Sequence, residues 1–263
     1  MERARALVQD LAARGGPRLP ALEWHDELGS TSDRLKDLAR AGAPAWTVVV
    51  GERQTGGRGR EGRAWQSPKG GLYLSVLLRP GSERVSLVPL AAGVAVAEAV
   101  LEFGVRAELK WPNDVLVSGR KLAGILAEAS SSGSGVEWVA LGIGVNVAVE
   151  LDALPEALRQ SATSLAACGA RDARPSAVAA AALARLSVWY DALRTEPARV
   201  VAAWRAQAVP WWGELVEVRT AGGERRGRLT AIDEEGALWL ETPAGERIRL
   251  VSGEVSRVRA IAP

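Results

Sequence analysis

The sequence predicts an α+β protein, with a sheet-based domain over residues 1–209 and a small β-barrel over residues 210–263. Three observations carry this. Short β-branched runs are interspersed with helical patterns between residues 22 and 208. After Pro210 the helical period stops, and five short apolar runs follow, parted by Gly222-Gly223, Glu235-Gly236, Gly245 and Gly253. That spacing suits a closed or half-open barrel. The chain has 263 residues, 48% apolar and 24% charged, enough for one large domain and a small second one.

The elements follow in order. Ala4 to Arg14 reads as a helix with a Leu7, Val8, Leu11 stripe, closed by Gly15-Gly16-Pro17. Leu22 to Leu28 reads as a strand, and Ser30-Thr31-Ser32-Asp33 then opens a helix to Gly42. Hydroxyls before a helix cap it, and they can also bind a neutral polar ligand. Thr47–Gly51 and Leu72–Leu78 are strands. Leu87–Phe103 is a helix with Leu90, Val94, Ala97 and Leu101 on one face. Val105–Lys110 is a strand, Val115–Val117 and Leu122–Ala127 form a hairpin, and Trp138–Val147 is a strand interrupted by Gly142 and Gly144. Residues 175–194 and 197–208 are helices with Leu183, Leu186, Trp189, Val200, Val201 and Trp204 inward. The tail strands are Leu215–Arg219, Arg226–Ile232, Ala237–Glu241, Arg247–Val251 and Val255–Ile261.

Composition excludes several chemistries. One histidine, His25, and one cysteine, Cys168, rule out a multi-histidine zinc site and an internal disulfide, and they weaken a Ser/His or Cys/His triad. Chemistry must rest on Lys, Arg and backbone donors, with or without a bound metal. The net charge of +2 does not read as a nucleic-acid binder. No apolar run reads as a membrane span and no signal-peptide core follows Met1, so a cytoplasmic protein is expected.

The stretch Gln54 to Trp65 packs four glycines and three arginines into residues 56–63. Glycine at this density bars a stable helix or regular strand, while arginine grips carboxylates and phosphates through paired hydrogen bonds. The stretch therefore reads either as a surface linker or as a loop that orders around an anion. Lys110-Trp111-Pro112-Asn113-Asp114 joins a cation, an amide and a carboxylate at a turn; Asn113 and Asp114 serve the turn or a site, and Asp114 can hold a nucleotide-borne magnesium ion. Lys121 enters an apolar strand beside Gly124, either as a solvated hairpin residue or reaching for a phosphate. Asn146 ends a strand beside Gly142 and Gly144, as a turn former or a pocket residue.

Four blocks, Gly57–Trp65, Lys110–Asp114, Lys121–Leu126 and Gly142–Asn146, resemble biotin protein ligases in order and spacing, as do Ser30-Thr31-Ser32 and Gln54. The resemblance covers roughly residues 22 to 260 and implies a mixed sheet with helices on one side, then a small SH3-like barrel. It implies activation of biotin with MgATP to biotinyl-5′-AMP and transfer to a lysine ε-amine of a biotin carboxyl carrier protein, such as that of acetyl-CoA carboxylase. Arg58, Arg60 and Lys121 would be catalytic. Ser30, Thr31, Ser32, Gln54, Gly57 and Gly124 would join them on biotin; Arg63, Trp65, Asn113 and Asn146 would meet ATP or the adenylate, and Asp114 the Mg2+. Two departures stand out: Ser32 in place of a frequent Asn, and Glu61 in place of a frequent base. The short N-terminal segment suits the monofunctional type, without the DNA-binding domain. Lipoate–protein ligase is the nearest enzyme rival, and a nucleic-acid-binding module the rival of another class. Oligomeric state is left open; Trp138–Val147 as a sheet edge would suit a homodimer.

Overall fold

The computed structural model describes residues 2–80, 82–133 and 135–258. In chain order the elements are α1 (Glu2–Ala13), β1 (Leu22–His25), α2 (Thr31–Arg40), β2 (Val48–Gly51), β3 (Leu72–Leu78) and α3 (Val88–Leu101). Next come β4 (Glu108–Lys110), β5 (Asp114–Val117), β6 (Arg120–Ser132) and β7 (Gly135–Val145). Then follow α4 (Glu156–Arg159), α5 (Pro175–Thr195), α6 (Pro197–Gln207) and β8 (Leu215–Thr220). The tail continues through β9 (Gly223–Ile232), β10 (Leu238–Glu241), β11 (Arg247–Leu250) and β12 (Glu254–Arg257).

Seven strands form one mixed sheet in the order β1-β2-β3-β7-β6-β5-β4. β1 and β2 run parallel and the remaining neighbours antiparallel. Alternate side chains leave opposite faces of a strand, and the two faces here differ sharply. Val48, Val50, Leu74, Val76, Leu141 and Ile143 face the main core, shared with α1, α3, α5 and α6. Val49, Leu77, Trp138 and Ala140 face the other way, onto Leu35 and Ala39 of α2. The main helical layer thus covers one face, and α2 covers only part of the opposite one. The rest of that second face is the floor of a cleft.

Five local expectations change. α3 is buried on nearly every side, because sheet, α5 and α6 all pack on it; Leu101, expected inward, is 50% exposed at its C-terminal end. Arg84–Leu101 does meet the length and composition of a membrane span, contrary to the first reading, but 67% of it is buried within the protein as core helix. In α1, Leu7 and Leu11 are buried while Val8 is 47% exposed. The hairpin arm β6 runs past Ala127 to Ser132, carried by its ladder with β7. β7 lies between β3 and β6, so the expected edge strand is interior and that argument for a homodimer loses its premise.

The tail strands form an antiparallel sheet in the order β11-β10-β9-β8-β12. β11 and β12 are its two edges, so among the described residues it is the half-open alternative. Residues 259–261 of the expected last strand lie outside the described residues. The β9–β10 turn of this sheet meets the first domain where Trp111 Nε1 donates to the Gly236 carbonyl at 2.9 Å, and the connection after α6 is tied to β4 by Val209 N donating to the Leu109 carbonyl at 2.9 Å.

Candidate active site

The second face of the large sheet is unusual in what it lacks. Gly124 of β6 stands opposite Gly144 of β7, and Leu126 opposite Gly142. These glycines leave part of the floor without side chains, and a cleft of about 520 Å³ opens above it, within the usual range for small-molecule sites of about 300–1,000 Å³. Of the residues expected at a site, all but Gly57 line the cleft. Gly57 packs within its own loop: a Cβ there would lie 2.4 Å from the Trp65 carbonyl and 2.5 Å from Ser67 Oγ.

One end is neutral and polar. Ser30 caps α2, its Oγ accepting from Asp33 N at 3.4 Å. That places Thr31 and Ser32 in the first turn, both buried. Thr31 N and Oγ1 donate to Gln54 Oε1 at 2.8 and 3.1 Å, and Gln54 Nε2 donates to Ser67 Oγ at 2.9 Å. Ser75, which contacts Thr31 and Ser32, and Ser67 were not foreseen; the only signal was a serine amid the apolar residues of β3.

The other end is cationic. The arginine-glycine stretch, expected to form no regular structure, folds into a small hairpin with a bridge between Arg58 and Ala64 and a 3-10 turn over Arg60–Gly62. Glu61 sits at φ 55° and Gly62 at φ 74°, so the tip needs positive φ that glycine supplies without strain. Arg58 Nη2 pairs with Asp33 Oδ2 at 2.8 Å, Arg63 with Glu254 at 2.8 Å, and Lys121 Nζ with Asp114 Oδ1 at 2.5 Å. Arg60 Nη1 donates to the Gly253 carbonyl at 3.1 Å and lies 3.5 Å from Asn113 Oδ1. Burial acts to raise the Glu254 carboxyl and is the largest single influence, but the Arg63 hydrogen bond together with the charges of Arg63, Lys110 and Arg219 holds the group below the ordinary carboxylate value. Exposed ion pairs contribute at most about 1 kcal/mol, so a substrate anion can take Arg58 from Asp33.

Trp65 joins the two ends. Its ring fills the glycine slot: a Cβ on Gly124 would lie 2.7 Å from Cζ3, and one on Gly144 2.6 Å from Nε1. Lys121 Nζ stands 5.2 Å from the ring centroid, a cation–π distance. Trp65 Nε1 is buried without a hydrogen-bond partner.

A wall of the cleft was missed by sequence reasoning. Leu154, Leu158 and Ala162 line it, from a segment of turns around the four-residue helix α4, too short to show a helical or strand period. Lys121 N donates to the Ser161 carbonyl at 2.7 Å, and Thr163 N to that of Lys121 at 2.9 Å. Asn146, 5% exposed, clamps the same segment by donating Nδ2 to the Thr163 carbonyl at 2.9 Å. Asn113 likewise serves the local turn, donating Nδ2 to the Ile125 carbonyl at 2.8 Å, while still lining the cleft. Gly253 and Glu254, from the tail, were also missed.

Comparison with known proteins agrees with this geometry. The family model of the Biotin/lipoate A/B protein ligase family matches residues 26–146, which sets the broad class. The Biotin protein ligase C terminal domain matches residues 212–258. The chain is 37% identical to the biotin–[acetyl-CoA-carboxylase] ligase of Paracoccus denitrificans, over 83% of this chain and 93% of that one. It is 34% identical to the enzyme of that name from Mycobacterium tuberculosis, over 89% and 87%. A structure of the biotin protein ligase from Aquifex aeolicus in complex with biotin and ATP superimposes with a TM-score of 0.79 at 32% identity, covering 92% of this chain and all (100%) of that one. The chain belongs to the biotin protein ligase family.

Proposed function

We propose that this cleft joins biotin to AMP and passes the biotinyl group to a lysine of a biotin carboxyl carrier protein, in the cytoplasm. The observation that carries the reading is a neutral hydrogen-bonding end and a cationic end on one glycine floor. A bicyclic urea with an anionic tail fits the first end by its ring and reaches the second by its carboxylate. In the first step the biotin carboxylate attacks the α-phosphate of ATP, giving biotinyl-5′-AMP and pyrophosphate. In the second, the lysine ε-amine attacks the mixed anhydride and AMP leaves. Two like unit charges 4 Å apart repel by about 4 kcal/mol near a protein surface. Arg58, Arg60 and Lys121 offset that repulsion, and no side-chain nucleophile is required.

Ser30, Thr31, Ser32 and Gln54 serve the urea, Arg63 and Asn146 the nucleotide, and Trp65 covers the acyl tail. No group of three or more acidic, His or Cys side chains that could hold a metal occurs among the described residues. Mg2+ bound through phosphates plus one or two carboxylates needs none, and Asp114, on the cleft wall beside Lys121, fits that mode. Asp114 would hold the ion, which would supply further positive charge at the phosphates, with Asn113 beside it.

Calorimetry with biotin, and lipoate as control, tests the reading, followed by MgATP with pyrophosphate release monitored. Biotin binding with ATP-dependent pyrophosphate release is expected. A preference for lipoate, or binding of neither acid by folded protein, would overturn it. Displacing Trp65 from the glycine slot provides a second test. Gly144→Val should weaken biotin roughly tenfold or more, on the scale of overpacking a close-packed site. Unchanged calorimetric affinity would remove the slot from the binding surface.

A further inference from the structure

Hydrogen-bond logic at the polar end fixes the direction of four hydroxyl protons, those of Thr31, Ser32, Ser67 and Ser75. The Thr31 backbone N–H can only donate, and its partner at 2.8 Å is Gln54 Oε1; this orients the Gln54 amide. Nε2 therefore faces Ser67 Oγ at 2.9 Å, and Ser67 accepts. Ser67 gives its own proton to the Trp65 carbonyl at 3.0 Å. On the other side Thr31 Oγ1 gives its proton to Gln54 Oε1 at 3.1 Å and accepts from Ser75 Oγ at 2.9 Å. A serine has one proton, so at the 3.1 Å contact between Ser32 and Ser75 the donor is Ser32. Donation runs inward from Ser32 through Ser75 and Thr31 to Gln54, then out through Ser67 to the Trp65 carbonyl.

Thr31, Ser32 and Gln54 line the cleft. Ser67 and Ser75 lie behind them, 5% and 0% exposed. With the protons of Thr31, Ser32, Ser67 and Ser75 committed, the cleft is offered lone pairs of Thr31 and Ser32 and the second N–H of Gln54. A cyclic urea presents two N–H donors and one carbonyl acceptor, the complement of that set. We infer that Ser75 and Ser67 are positioning residues that set this donor–acceptor polarity and so select a urea ring. The inference rests on the proposed biotin site. It also accounts for Ser32: a serine there extends the chain by one proton-committed acceptor.

The test compares KM and kcat for adenylate formation in Ser75→Ala, Ser67→Ala and Gln54→Ala. In Ser75→Ala, Ser32 loses its acceptor and its proton is free to turn into the cleft against the urea N–H groups. Loss of one such bond predicts a rise of about tenfold in KM for biotin. Desthiobiotin, which keeps the urea and lacks the ring sulfur, should suffer the same factor, with kcat and KM for ATP unchanged. Ser67→Ala, which frees one Gln54 N–H, should raise KM for biotin by about threefold and carries the test should Ser75→Ala not fold. A parallel rise in KM for ATP, or an unchanged KM for biotin in the folded serine variants, overturns the inference. Gln54→Ala separates the two levels. If it raises KM for biotin while the serine variants do not, the positioning inference alone falls; if it too leaves KM unchanged, the biotin site is misplaced.

Discussion

Lys121→Ala is expected to slow single-turnover formation of biotinyl-AMP by about 10²–10³-fold, the loss typical of removing one donor aimed at developing charge. The ammonium stands on the cleft wall, 2.5 Å from Asp114 and 5.2 Å above the Trp65 ring, and its backbone is pinned on both sides to the 161–163 segment. Both features favour a fixed cation over a mobile surface lysine. Asp114 holds the ammonium until substrate anions arrive; as charge builds between carboxylate and α-phosphate, the nearest preorganised cation gains most. Affinity for biotin alone should change far less than the rate, because the bridge charge exists only in the transition state. Lys121→Arg should recover only part of the rate, since a planar fork does not replace a compact point charge. A normal burst of adenylate in folded Lys121→Ala would reduce Lys121 to a partner of Asp114 and Trp65.

How far the site could be read in advance depended on what kind of signal each residue leaves. Lys121 beside an apolar strand, the Asn113-Asp114 turn and the Gly142 and Gly144 interruptions are local signals, and the structure brings all of them to one cleft. The Trp65 slot is not local. It needs the register that sets Gly124 opposite Gly144, a pairing across twenty residues that no window of sequence displays. The wall at 154–162 left no trace, because it contributes backbone carbonyls and apolar contacts from turns without a period. The polar end of β6 was read short because Glu128–Ser132 offers no apolar alternation, and its pairing with β7 supplies the strand. α3 was given one apolar face, whereas a helix packed on several sides loses the period that marks its orientation. The hairpin at 57–65 shows the converse: glycine density argued against regular structure, yet positive φ at the tip and close packing at Gly57 are what allow the hairpin to close.

Arg60→Ala is expected to slow adenylation by about 10²-fold or more and also to let biotinyl-AMP escape. The two effects have separate origins in one side chain. As a cation in the cleft, Arg60 would, on the proposed function, meet the carboxylate and phosphate of the adenylate. As a forked donor it ties the hairpin to the Gly253 carbonyl of the tail sheet and approaches Asn113. Arg63 and Glu254 make a second tie at 2.8 Å. Both ties run from the hairpin that carries Trp65 to the start of β12, at Gly253 just before it and Glu254 at its first position, so the tail sheet holds the cover of the cleft. Of these two ties among the described residues, removing Arg60 leaves that of Arg63, and a mixed anhydride under a loosened cover meets water and stray amines sooner. Arg60→Lys separates the origins. It keeps the charge and loses the fork, so its adenylation rate should stay near that of the native protein while release of the intermediate rises, read as biotinylation of a non-acceptor protein added in excess. Glu254→Gln should also raise release, with adenylation unchanged, because it touches only the second tie. Equal losses of rate and retention in Arg60→Lys would assign both effects to the fork, and full retention in Arg60→Ala would free the tail sheet from any part in holding the cover.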